Sequence, residues 1–100
     1  MFIIRETFTA KPGQASKLAK LFKKGFSSNP NVRIMTDMVA NYNTVIVEMQ
    51  VSSLAEFEQG MEDYKQGKPD PKMSPEVAEE MSKYTEMYVS GKREIYRIQE

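Results

Sequence analysis

Two alternating apolar runs, separated by a short Asn-rich turn, constrain the fold of this chain more than any other feature. In the first, Val32, Ile34, Thr36 and Met38 alternate with Arg33, Met35, Asp37 and Val39. After Asn41-Tyr42-Asn43, Val45, Val47, Met49 and Val51 alternate with Thr44, Ile46, Glu48 and Gln50. Successive side chains of a strand point to opposite faces, so both runs read as half-buried strands and the turn joins them into a β-hairpin.

The flanking segments fix the order of elements. Phe2-Ile3-Ile4-Arg5-Glu6-Thr7-Phe8-Thr9 is β-branched and aromatic and stops at Lys11-Pro12-Gly13, a strand followed by a breaker. Ala15, Leu18, Ala19, Phe22 and Phe26 recur at three and four, which predicts a helix from Pro12 to about Phe26 with Pro12 at its first position. Leu21 falls off that stripe and reads as an exposed leucine or an oligomer contact. Ser53-Leu54-Ala55-Glu56 fits a capping box ahead of a second stripe of Leu54, Phe57, Met61 and Tyr64. Ser74-Pro75 opens a third helix carrying Val77, Met81, Tyr84 and Tyr88, which Ser90-Gly91 ends. The alternating segment Lys92 to Ile98 closes the chain as a strand. At 100 residues there is material for one domain, 1–100. The order β-α-β-β-α-(α)-β predicts an α+β, ferredoxin-like sandwich with helices on one face of a four-stranded antiparallel sheet.

Such a sheet leaves its second face bare. By parity that face carries Ile3, Met35, Val39 and Ile46 together with Arg5, Arg33, Asp37 and Glu48; the last strand is ambiguous, because Ile95 competes with Tyr96 and Ile98. The mixture is too apolar for a solvated surface and too charged for a dry core, and suits a wet, self-complementary homodimer interface. In its opening strand Phe2–Thr9 with Lys11-Pro12-Gly13, and in its closing strand Arg93-Glu94-Ile95-Tyr96-Arg97-Ile98, the chain resembles the dimeric α/β-barrel superfamily of antibiotic-biosynthesis monooxygenases and NIPSNAP-like proteins. The resemblance implies a dimer closed into a barrel. It also implies either a small-molecule-binding protein of unassigned activity or, as the alternative, a cofactor-free monooxygenase-like enzyme acting on a small aromatic substrate.

Missing residues narrow the chemistry. The chain has no Cys, no His and no Trp, which removes disulfides, thiolate chemistry and the commonest general base and metal ligand. The histidine-dependent branches of that superfamily, haem-degrading and chlorite-dismutase-like proteins among them, are thereby ruled out. No cofactor and no metal site is expected; the acidic residues of the second and third helices match no carboxylate-site spacing. Tyr64, Tyr84, Tyr88 and Arg97 are the candidates for a small apolar or aromatic ligand, in a pocket softened by some of the eight Met, although such a stripe more commonly builds core.

Charge position adds to this. Up to Arg33 there are seven basic residues and one acidic; from Ile34 to Gly91 there are four basic and eleven acidic. A basic first helix beside acidic later ones, the second lying next to it, is the simplest arrangement. Net charge is zero and no stacking-aromatic signature occurs, so no nucleic-acid partner is expected. Nor is a membrane partner, since no apolar run nears the roughly 20 residues of a span. The periodic pattern begins at Phe2, leaving no room for a signal peptide, and a cytoplasmic location is expected. Gly67 to Met73 reads as a mobile loop able to serve as a lid. Finally, a four-residue hairpin loop would set Asp37 opposite Glu48, with Arg5 as the bridging cation and Arg33 or Arg97 as substitutes; Arg5, Asp37 and Glu48 would then form either a structural ion-pair network inside the barrel, the favoured role, or a polar anchor for the ligand. A two-residue loop would instead pair Arg33 with Gln50.

Overall fold

Four strands rich in β-branched residues pair into a single antiparallel sheet in the order β2-β3-β1-β4. The computed structural model describes residues 1–67 and 73–100. Its elements are β1 (Phe2–Ala10), α1 (Ala15–Gly25), β2 (Val32–Thr36), β3 (Thr44–Val51), α2 (Leu54–Lys65), α3 (Pro75–Met81), a single 3-10 turn (Tyr84–Glu86) and β4 (Tyr88–Arg97). This is the expected α+β, ferredoxin-like arrangement. The core of the expected lid, 68–72, lies outside the described residues.

Strand parity follows the sequence. Ile4, Phe8 and Ala10 of β1 and Val45, Val47 and Val51 of β3 are buried toward the helices. Leu18 and Phe22 of α1 complete the core, with Val32, Ile34, Met49, Met81 and Tyr84 packed around it. In β4 the register Ile4↔Ile95 puts Ile95 on the helix side and Ile3↔Tyr96 puts Tyr96 on the bare side, which resolves the ambiguity of that strand.

Several local expectations are corrected. Pro12 does not start the helix: the Gln14 amide donates to the Lys11 carbonyl at 2.9 Å and Gly13 has φ +78°, so Pro12-Gly13 forms the centre of a turn that ends β1. Leu21 is not exposed; α1 buries Leu18, Leu21, Phe22 and Gly25, a stripe wider than the sequence spacing suggested. The third helix stops at Met81, and Tyr88 belongs to β4, because the β1 ladder extends to Ala10↔Tyr88 across an irregularity at Thr9/Ala10. The basic first helix packs against α3 rather than α2. A Cβ on Gly25 would lie 2.4 Å from Met81 Sδ, so the bare glycine sets how closely these helices approach, and Lys24 Nζ meets Glu80 Oε2 at 3.1 Å.

The hairpin departs most. Its pairs are Arg33↔Glu48, Ile34↔Val47 and Met35↔Ile46, a register that neither loop length anticipated. Asp37 Oδ1 accepts the Thr44 amide at 2.9 Å and Thr44 Oγ1 donates to the Asn41 carbonyl at 2.7 Å. Asn43 takes φ 62°. The Asp37 amide still donates to the Thr44 carbonyl at 3.3 Å, but its side chain takes the place of the return bond, and residues 37–43 become a seven-residue loop. Val39, expected on the bare face, stands in that loop at 97% exposure.

Ser53 and Ser74 cap α2 and α3 as expected, their hydroxyls accepting the Glu56 and Val77 amides at 3.2 Å. The Glu56 carboxylate reaches Ser52 rather than the cap residue itself. Burial of Leu21 gives a direct check. Leu21→Ala should cost about 2–3 kcal/mol in urea unfolding. An exposed leucine would cost less than about 0.5 kcal/mol.

Candidate functional site: a charged sheet face and an aromatic cavity

On the face opposite the helices, the three registers align one row across all four strands. Arg33 of β2 lies beside Glu48 of β3, Glu48 beside Arg5 of β1, and Arg5 beside Glu94 of β4. The signs alternate along the row. Glu48 is at its centre, its side chain only 5% exposed, and one guanidinium takes each of its oxygens. Arg5 Nε donates to Oε2 at 2.9 Å and Arg33 Nε to Oε1 at 2.9 Å. At the end of the row the Tyr96 hydroxyl donates to Glu94, the Arg5 guanidinium lies 5.5 Å from the centre of the Tyr96 ring, and Lys92 Nζ is 3.7 Å from Glu94. Apolar residues flank the row: Ile3 and Tyr96 on one side, Ile46 and Met35 on the other.

Burial pushes the Glu48 carboxyl up, but the hydrogen bonds from Arg33 and Arg5 outweigh it and hold the group below the usual carboxylate range. The same bond raises the Arg5 guanidinium. Glu94 is lowered chiefly by the Tyr96 hydroxyl, which is raised in return. The expected cluster of Arg5 and Glu48 therefore forms, but Asp37 is not part of it. Arg33 holds the position opposite Glu48, so the second carboxylate that would have forced a shared proton is absent from that spot.

The second candidate region lies on the helix side. Phe8, Phe22, Tyr84 and Tyr88 form a continuous aromatic wall: Phe8 and Tyr88 meet edge-on at 4.9 Å, Tyr84 stacks on Tyr88 at 5.8 Å, and Phe8 lies 5.1 Å from Phe22. The Tyr64 hydroxyl, from α2, is 3.2 Å from that of Tyr84. Beside the wall is an open-sided cavity of about 260 Å³ lined by Glu6, Phe8, Tyr84, Tyr88, Gly91, Lys92 and Arg93. Arg93 forms an ion pair with Glu6, and its guanidinium lies 5.4 Å from the centre of the Phe57 ring on α2. Burial, reinforced by the Tyr64 hydroxyl, pushes the Tyr84 phenol well above its ordinary value. It is thus a proton-bearing donor at neutral pH.

Tyr64, Tyr84 and Tyr88 therefore come together. Arg97 does not join them: its guanidinium lies 5.5 Å from the Phe2 ring, at the far end of β4. Glu6 and Arg93 were missed as a pair. By strand parity Glu6 shares the inward face of β1 with Ile4 and Phe8, and a carboxylate at such a position is the signal the sequence offers. Among the described residues no three carboxylates gather into a metal-holding cluster, and no helix is long and apolar enough to cross a membrane.

No protein-family model and no curated protein sequence matches the chain. Solved structures do. An uncharacterised NIPSNAP domain protein from Burkholderia xenovorans superposes with a TM-score of 0.71 at 10% identity, over 99% of this chain and 95% of the other. A NIPSNAP family protein from Agrobacterium tumefaciens gives 0.70 at 13% identity, over 99% and 94%. A candidate antibiotic biosynthesis monooxygenase from Chloroflexus aurantiacus gives 0.68 at 12% identity, over 99% and 94%. The chain thus shares the ferredoxin-like fold of NIPSNAP and antibiotic-biosynthesis-monooxygenase-like proteins.

The depressed Glu48 carboxyl carries a pH signature. A group whose folded pKa lies below its unfolded value of about 4.5 contributes stability above that value. The contribution is lost as pH falls through the folded pKa. Urea midpoints should therefore drop as pH is lowered below about 4.5. Glu48→Gln should cost about 2 kcal/mol at neutral pH and show a shallower acid decline.

Proposed function

We propose that this chain is a one-domain protomer of a cytoplasmic homodimer, an α/β barrel closed through the charged sheet face, which binds a small apolar or aromatic molecule in the Tyr84–Tyr88 cavity. The observation that carries the ligand reading is the pairing of an aromatic wall with the Tyr84 donor beside a 260 Å³ cavity. That volume is below the range of drug-sized sites and suits a single-ring compound. A ring would stack along Phe8 and Tyr88, its oxygen would accept from Tyr84, and the Glu6–Arg93 pair would select for polarity at the opposite wall.

The dimer reading rests on the bare face itself. Ile3, Met35 and Ile46 interleaved with a satisfied ion-pair row form a surface suited to a wet protein interface. Ile46→Lys should convert the dimer to a weaker dimer or an unstable monomer in sedimentation experiments.

A monooxygenase-like activity on a small aromatic substrate is the second reading. Glu6 favours it, because it lines the same cavity as Tyr84 and Arg93 engages its Oε1, leaving Oε2 as a candidate base. Oxygen uptake with a bound phenolic compound, abolished by Glu6→Gln, distinguishes it from binding alone.

The ligand reading is tested by saturation-transfer NMR with phenol, benzoate and cyclohexanol. Phenol should bind best, and Tyr84→Phe should weaken it about fivefold to tenfold, the loss of one hydrogen bond. Absence of binding by all three compounds, or binding indifferent to Tyr84→Phe, contradicts the assignment.

A further inference from the structure

Between the tyrosine and the arginine that β4 presents to the cavity, one inward position carries no side chain, and neither the backbone nor the packing requires that gap. Resting on the ligand reading above, we propose that Gly91 determines what the cavity accepts. Its uncovered main chain is the surface on which a flat aromatic ring lies, so the site takes planar rings and rejects puckered rings of the same size.

Register places the gap. The inward pairs Glu6↔Arg93, Phe8↔Gly91 and Ala10↔Tyr88 follow one another along β1 and β4, and Gly91 is exposed where it lines the cavity. Inward neighbours on a strand stand about 7 Å apart. Leaving out one side chain therefore opens a slot between Arg93 and Tyr88, with main chain as its floor and an edge of the Phe8 ring along one side.

The fold itself does not call for glycine here. Gly13 needs its positive φ, and Gly25 has the Met81 side chain where a Cβ would stand. Gly91 has neither reason. Its φ is not in the left-handed region. A Cβ on it would meet Phe8 Cδ1 at 3.4 Å, Phe8 Cε1 at 3.6 Å and the Thr7 carbonyl oxygen at 3.8 Å, all ordinary van der Waals contacts. A glycine inside a strand weakens it relative to alanine, and such a position marks close approach by a ligand or another backbone. A flat ring can settle onto the bare strand at about 3.5 Å, the distance of best dispersion contact. The out-of-plane hydrogens of a saturated ring hold it further off.

Phenol and cyclohexanol are the probes, since each offers one hydroxyl to Tyr84 on a ring of the same size and they differ in flatness. Their dissociation constants are measured by NMR titration on the wild-type protein, on Gly91→Ala and on the control Gly60→Ala. Gly60 is an exposed position of α2 with nothing within 4 Å of where its Cβ would stand. Both substitutions should raise Tm by about 2–6 °C, because alanine restricts the unfolded chain. Gly91→Ala should weaken phenol at least about fivefold and cyclohexanol less than about twofold, because only the flat ring loses its contact with the strand. Gly60→Ala should change neither constant. A stabilised Gly91→Ala that binds phenol as wild type does overturns the role of Gly91 and leaves the cavity reading standing. An equal loss for both compounds overturns the selection of flat rings. A Gly91→Ala protein that melts below wild type or does not fold overturns the proposal too, since the glycine would then serve the packing of Phe8. A wild-type protein that binds neither compound overturns the cavity reading itself.

Discussion

Glu48 is only 4% exposed, yet its carboxyl is held below the ordinary range because a guanidinium sits on each oxygen at 2.9 Å. Removing a carboxylate from water costs several kcal/mol, and such a group persists only where its lone pairs are met by opposite charge. Both arginines come from neighbouring strands at the same level, so the ion pairs and the sheet register specify each other. Slipping β2 by one residue would move Arg33 to the other face and leave Glu48 with one partner. The hairpin register and the alternating charge of the bare face both depend on this one buried charge.

The helix side follows different physics. Phe8 is the hinge between core and cavity, touching Phe22 on one side and Tyr88 on the other. α2 buries none of its residues; it packs on β3, and its Phe57 meets Arg93 and its Tyr64 meets Tyr84. The cavity lies beside those contacts, lined by β1, the 3-10 turn and β4. The two candidate regions thus share one sheet, backed on one face by charge and on the other by aromatic rings.

Much of this was legible in the chain. Period-two alternation placed Ile4, Val45 and Val47 inward and Arg5, Ile46 and Glu48 outward, because the strand period is insensitive to where the partner strand starts. Ser53 and Ser74 announced their helices through the chemistry of the cap. Register was not legible. It turned on whether Asp37 would continue the ladder or cap the loop, and a side chain accepting the Thr44 amide leaves no trace in hydrophobic pattern. Tyr88 fitted a helical stripe as well as a strand, and pairing with β1 decided between them. The Glu6–Arg93 pair joins residues at opposite ends of the chain, so strand parity marks Glu6 as a misfit but only the fold names its partner.

The central claim is that the Glu48 row organises a face built to meet its own copy. Sedimentation equilibrium of the wild-type protein and of Glu48→Gln, at low micromolar concentration and neutral pH, tests it most directly. The account predicts a wild-type dimer and a variant that associates more weakly, because its hold on Arg5 and Arg33 is lost. A well-behaved wild-type monomer, or a variant that dimerises as tightly as wild type, would contradict it.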